Sequence, residues 1–181
     1  AVEIFFAPPL LDRAAGASLL ELGDAVRFTH QLLQEYFAAR ALRSHVENRK
    51  PTAARLWPPK RWWSTSGWEE TAVLLAGLYE RDCTPVLEWL ANANPEVAAR
   101  CVRLSGARVP DETLRHLRKR WTPRLRDLAR DPQPEARAAV GRALGMLTLD
   151  GLPLDDRKGV GVLSDARSGL LLPDIDWCEV P

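Results

Sequence analysis

Three groups of residues in this chain have types and spacing that could do chemistry. In "VRFTHQLLQEYFAAR", Val26 to Arg40, Thr29 and His30 stand at the mouth of a helical run. With Thr29 as the N-cap, residue 30 is the first helical position, where unpaired N–H groups and the helix dipole favour an anion. An imidazole there can donate to a phosphate oxygen, and the phosphate would in turn raise its pKa. The plainer alternative is a polar first-turn residue that faces solvent or a neighbouring helix. The second group is "LRHLRKRWTPRLRDLAR", with Arg115, His116, Arg118, Lys119, Arg120, Arg124, Arg126 and Arg130 around Trp121. A basic stripe with an aromatic can track a phosphate backbone. Here Asp111, Glu112, Asp127 and Asp131 flank it, and helical faces commonly carry solvated arginines, so nucleic-acid binding is not expected. The third group is the tail, where Asp174, Asp176 and Glu179 alternate on strand-like sequence and share one face or nearly so. No oxygen-rich loop of the length a calcium site needs surrounds them.

The remaining candidates are weaker. His45 and His116 have no Cys or acidic partner at metal-ligand spacing, and Ser105-Gly106 lacks the G-x-S-x-G context of a hydrolase elbow. Cys83, Cys101 and Cys178 lie far apart with no C-x-x-C spacing, which reads as reduced structural thiols in a cytoplasmic setting, Cys101 in the core. No catalytic residue and no metal site are expected. A formal net charge of +1 gives no bulk pull toward nucleic acid or membrane, and no apolar run approaches the roughly 20 residues of a membrane span. The start, "AVEIFFAPPLLDR", lacks an initiating Met and the basic flank of a signal peptide, so the chain reads as part of something longer.

The elements that must position these residues are mostly helices. "LLDRAAG" is a short helix stopped by Gly16, and "SLLEL" and "AVRF" form a hairpin around Gly23-Asp24. A three-residue loop, Gly23 to Ala25, keeps Leu20 and Leu22 on one apolar face with Val26 and Phe28. The helix that follows sets Phe28, Leu32, Leu33, Tyr36, Phe37 and Leu42 near helical spacing, a broad face expected to pack against the wing. Residues 1–45 thus read as a winged-helix remnant. Residues 46–67 are a Trp/Pro-rich connector broken by Pro51, Pro58 and Pro59. Across 68–147 roughly six helices alternate with short turns, with Pro just inside several starts and Asn94 and Asp131 as caps. Residues 148–181 are an extended irregular arm leading toward a further domain.

Seven tryptophans is rich for this length, and Trp57, Trp62, Trp63 and Trp68 crowd into twelve positions. Trp couples a large apolar body to one N–H donor, so it suits a packed but partly polar junction. A rigid aromatic corner between helices is expected, in preference to a stacking platform for bases or sugars.

Two junctions, "NANPEVAARCVRLSG" and "RDPQPEARAAVGRALG", share a polar cap, a Pro, a Glu and small residues at helical spacing. They resemble the second helix of HEAT-like repeats, whose alanines let paired helices pack closely. "VRFTHQLLQEYFAARAL" resembles the F-x-H-x-x-x-Q-E-Y/F-x-A-A signature that ends the winged-helix part of NACHT-type STAND NTPases, bacterial relatives of NOD-like receptors. Phe28, His30, Gln34, Glu35, Tyr36, Ala38 and Ala39 match it. "WEETAVLLAGL" is similar to a helix that commonly follows, and "DDRKGVGVLSDARSGLLLPDIDWCEVP" looks like the lead-in to formylglycine-generating-enzyme-like modules with a C-type lectin fold.

This resemblance implies that His30 reaches the phosphate of ADP bound by a nucleotide-binding domain upstream, where ADP or ATP would be the cofactor. No G-x-x-x-x-G-K-[ST] loop occurs in this chain, so no cofactor is expected within it. The implied role is a non-catalytic relay in a bacterial signalling or antiviral defence protein, coupling the nucleotide switch to a lectin-like module that recognises a protein ligand. Its partners are those two neighbouring domains. The alternative is a helical scaffold that displays the variable lectin-fold domain of a diversity-generating retroelement. A phosphate-loop motif upstream of Ala1 separates the two.

Overall fold

The computed structural model describes residues 8–48, 53–155, 157 and 162–173. Within them the chain is mainly α-helical with short two-stranded hairpins. Helix α1 (Pro8–Gly16) leads into strands β1 (Leu20–Leu22) and β2 (Val26–Phe28), followed by helix α2 (Gln31–Glu47). The hairpin pairs Leu20 with Phe28 and Leu22 with Val26, the register of a three-residue loop. That register puts the apolar side chains of both strands on one face, because side chains alternate along a strand.

Two expectations about α2 are corrected. Thr29 is not its N-cap. The Thr29 hydroxyl donates to the Ser18 carbonyl at 2.7 Å and its N–H to the Leu19 carbonyl at 3.2 Å, so the residue closes the hairpin. Nor is the Leu32–Tyr36–Phe37 face the buried one: these residues are 64%, 37% and 41% exposed. Phe37 meets the wing, stacking on Phe28 with centroids 5.5 Å apart. The buried positions are Ala39 and Val46, with Leu42 partly buried between them, and this stripe meets helix α3 (Glu69–Gly77). Alanine wins that face because it lets the two helix backbones approach closely.

Three of the following helices form one row: α3, α5 (Pro95–Leu104) and α7 (Pro134–Met146) pack side by side. Helix α4 (Thr84–Leu90) packs on α5, and α6 (Asp111–Trp121) contacts α7. The row is lined by Ala72, Ala76, Ala98, Ala99, Ala136, Ala139 and Ala143, all buried. A Cβ on Gly77 would stand 3.3 Å from the Ser105 carbonyl oxygen, so α3 ends close against the end of α5. One contiguous core runs from Ala39 through the tryptophan corner and the helix row to Leu154. Leu20 is buried outside it, under the hairpin.

Starts follow local chemistry. Asn94 caps α5 by accepting the Val97 N–H at 3.0 Å, and Pro95 follows where its missing N–H is harmless. Before α3, the Glu69 carboxylate reaches back to the N–H groups of Ser66 at 2.8 Å and Gly67 at 2.9 Å, and so pins the turn that leads into the helix. The segment "TPRLRDLARD" is not a full helix. Only Thr122–Leu125 forms a 3₁₀ turn, because Arg124 is drawn inward to an acid instead of continuing a solvated face. The extended arm is partly paired: β3 (Thr148–Leu149) with β4 (Leu152–Pro153), and β5 (Val162–Ser164) with β6 (Leu171–Pro173). Asp150 (φ 54°) and Gly151 (φ 80°) make the first of these turns, both in the left-handed region. No helix among the described residues is long and apolar enough to cross a membrane.

Candidate functional site

His30 is the N-cap of α2, not its first helical residue. Its backbone is extended (φ −124°, ψ 128°), its side chain makes no capping hydrogen bond, and it is exposed. Its carbonyl accepts the Leu33 N–H at 3.1 Å, so only the main chain serves the helix and the imidazole is spared that duty. This shift by one residue keeps His30 at the N-terminal, positive end of the helix dipole. A cleft of about 490 Å³ lies along the first turns, with Gln31, Gln34 and Glu35 on one side and Gly67, Trp68 and Thr71 on the other. Glu35, which accepts from Gln31 Nε2 at 2.7 Å, gives this cleft negative charge, so a phosphate reached by His30 would lie outside it.

The basic segment does not form a stripe. Arg124 is buried and paired with Asp131 at 2.8 Å, and Arg120 pairs with Glu88 at 2.8 Å. His116 Nδ1 lies 3.1 Å from the same Glu88, and Arg115 is 3.8 Å from Asp111. Helical geometry sends these side chains in different directions, Arg120 and His116 toward Glu88 on α4. Lys119 and Arg126 are exposed. No cluster of metal-ligating side chains occurs among the described residues. Asp174, Asp176, Glu179 and Cys178 lie outside the described residues. Cys83 and Cys101 are both fully buried, and burial raises both thiols, Cys83 to about 11. That removes them from nucleophilic chemistry.

The tryptophans build the corner their sequence implied, and the indole N–H groups of Trp57 and Trp62 each find a carboxylate. Trp62 Nε1 donates to Asp131 Oδ1 at 2.9 Å, and Trp57 Nε1 to Glu69 Oε1 at 3.1 Å. The Arg124 guanidinium lies 4.7 Å from the Trp62 ring centroid and donates to both Asp131 oxygens, at 2.8 and 2.9 Å. Asn94, besides capping α5, donates to the Trp62 carbonyl at 2.8 Å. Asp131 is therefore no helix cap; Gln133 holds that position. Burial alone would raise the Asp131 carboxyl, but the hydrogen bonds from Arg124 and Trp62 outweigh it and hold the pKa low.

Beside this corner an open groove of about 940 Å³ is bordered by Val46, Trp57, Pro59, Pro85, Trp89, Asn92, Ala93 and Arg130. Trp57 and Trp89 meet edge-to-face with centroids 6.1 Å apart. Sequence reasoning missed this groove, because its walls come from the connector, α4 and the turn before α7. The available signal was the pairing of an aromatic-rich connector with an acid, Asp131, that stands next to a proline yet is followed by no immediate helix.

No family model, no curated protein and no solved structure matches the chain.

Proposed function

We propose that this chain is a non-catalytic relay segment of a bacterial STAND-type (NACHT) signalling or defence protein. It couples a nucleotide switch on its N-terminal side to a lectin-like ligand-recognition module on its C-terminal side. The observation that supports this reading is the divided role of α2. Its first half carries the hairpin, the exposed His30 and an uncovered apolar surface of Leu32, Tyr36 and Phe37. Its second half is built into the core through Ala39 and Val46, and Arg43 ties it to the end of α3 by donating to the Leu78 carbonyl at 3.1 Å. A helix of 17 residues spans about 25 Å, so one stiff element joins the phosphate-sensing end to the helix row.

In this mechanism the upstream domain rests on the exposed face and presents the β-phosphate of ADP to the His30 ring. Ligand capture at the far end shifts the helix row, tilts α2 and withdraws the imidazole. The test is ADP binding by the chain extended upstream to include a nucleotide-binding domain, with and without His30→Ala. A loss of about tenfold in affinity is expected for removal of one charge-assisted hydrogen bond. Equal affinity in both proteins would remove the reading.

A further inference from the structure

The groove beside the tryptophan corner has a chemical character of its own, independent of the relay reading. At about 940 Å³ it falls within the size of small-molecule sites, which are mostly apolar with a few placed polar groups. Trp57 and Trp62, both buried, line it together with Pro59, Pro85, Trp89 and Ala93.

The charges around it are unequally matched. Glu47 is held by Arg43 at 2.9 Å, Glu88 by Arg120 at 2.8 Å, and Asp131 by Arg124 and Trp62. Each lining acid therefore already has its cation. Arg130 is the exception among the lining cations. Its guanidinium holds only a long 3.3 Å hydrogen bond to the amide oxygen of Asn92 among the described residues. Partial burial and the neighbouring positive charge of Arg124 outweigh the pull of Asp131 and Asp127, so the Arg130 cation is held less firmly than a free one. An anion placed there would offset both with an opposite charge.

We propose that this groove binds a small aromatic carboxylate, its ring against Trp89 and the two prolines and its carboxylate on the Arg130 guanidinium. A planar carboxylate matches the forked donors of arginine, and a flat ring matches walls of indole and pyrrolidine. One unmatched cation sets the ligand charge at one. A divalent cation finds no unpaired carboxylate here, and a polyanion finds no second unpaired arginine among the lining residues.

The probe pair is naphthalene-2-carboxylate and its neutral isostere, 2-naphthamide, titrated calorimetrically into the full chain. The carboxylate is expected to bind at least about tenfold tighter than the amide, the scale of one charge-assisted pair. Arg130→Gln should erase that difference, while Arg130→Lys keeps part of it and Ala93→Trp, which fills the groove, abolishes both. Arg130 is exposed, and an unchanged melting temperature for Arg130→Gln shows that its effect is on binding. Equal binding of the two probes, binding that Arg130→Gln leaves unaltered, or no binding of either would each overturn the proposal.

Discussion

Trp62 Nε1 donates to Asp131 Oδ1 at 2.9 Å across 69 positions of sequence, and the same carboxylate takes two hydrogen bonds from Arg124. One buried acid thus joins the connector, the 3₁₀ turn after α6 and the start of α7. Taking away one member of a buried ion pair leaves the other charged and unpaired. Asp131→Ala should therefore destabilise the protein by about 3 to 5 kcal/mol in denaturant unfolding. The double variant Arg124→Met with Asp131→Leu should recover part of that loss. A residue of about 1 to 3 kcal/mol remains for the Trp62 N–H left without an acceptor. A double variant no better than Asp131→Ala alone would show that the pair is not the cause.

Acid should unfold the protein through the same contacts. Burial raises the carboxyl pKa of Asp131, Asp155 and Glu69, but hydrogen bonds from Arg124, Arg157, and Ser66 with Trp57, respectively, outweigh it and leave all three low. A depressed folded pKa contributes stability that is complete above the unfolded value of about 4 and is lost as pH falls through the folded values. Unfolding free energy measured by urea titration should be flat from neutral pH down to about 5 and then fall steeply. Asp131→Asn should flatten that acid limb.

Thiol reactivity reports on the helix row. The Cys101 thiol donates to the Ala72 carbonyl at 3.4 Å, and Cys83 packs at the start of α4 with its pKa raised to about 11. In a Cys178→Ser background the native protein should show almost no reaction with a thiol reagent at pH 8. Both cysteines should label once denaturant passes the unfolding midpoint. Reaction under native conditions would place the α3–α5 contact among the locally opening parts of the fold.

The close end of α3 gives a steric prediction. Gly77 allows Ser105 to approach to a distance that a Cβ would meet at 3.3 Å, and the obstacle is backbone, which yields little. Gly77→Val should destabilise by about 1 to 3 kcal/mol, the usual range for an overpacked contact. Gly145→Val, where nothing lies within 4 Å, should cost distinctly less in the same thermal-melt series.

The surface of α2 offers a separate check. Leu32 and Val26, 64% and 52% exposed, contribute to an apolar patch on the hairpin unit. Leu32→Lys with Val26→Lys should lower self-association in sedimentation without lowering the melting temperature, because neither residue belongs to the core.

Much of this architecture is local and so was readable along the chain. The Gly23–Ala25 loop follows from alternation of apolar residues, the Asn94 cap and Pro95 start from side-chain chemistry, and the helical class from periodicity. The tryptophan cluster likewise announced a packed, partly polar corner, since indole needs both an apolar bed and an acceptor. What the residues alone left undecided were choices between equivalent local options. Thr29 had the chemistry of a cap for α2, and the hairpin's hydrogen bond from Thr29 to Ser18 gave that place to His30. Periodicity offered the large apolar face of α2 for burial, yet contact with α3 selected the narrow face of Ala39 and Val46. Asp131 had the credentials of a cap and became the partner of Arg124 and Trp62, and Arg130 was left beside the groove with only Asn92. Each of these outcomes rests on partners 7 to 69 positions away, and a buried charge or N–H is satisfied by whichever group the packed chain brings within reach.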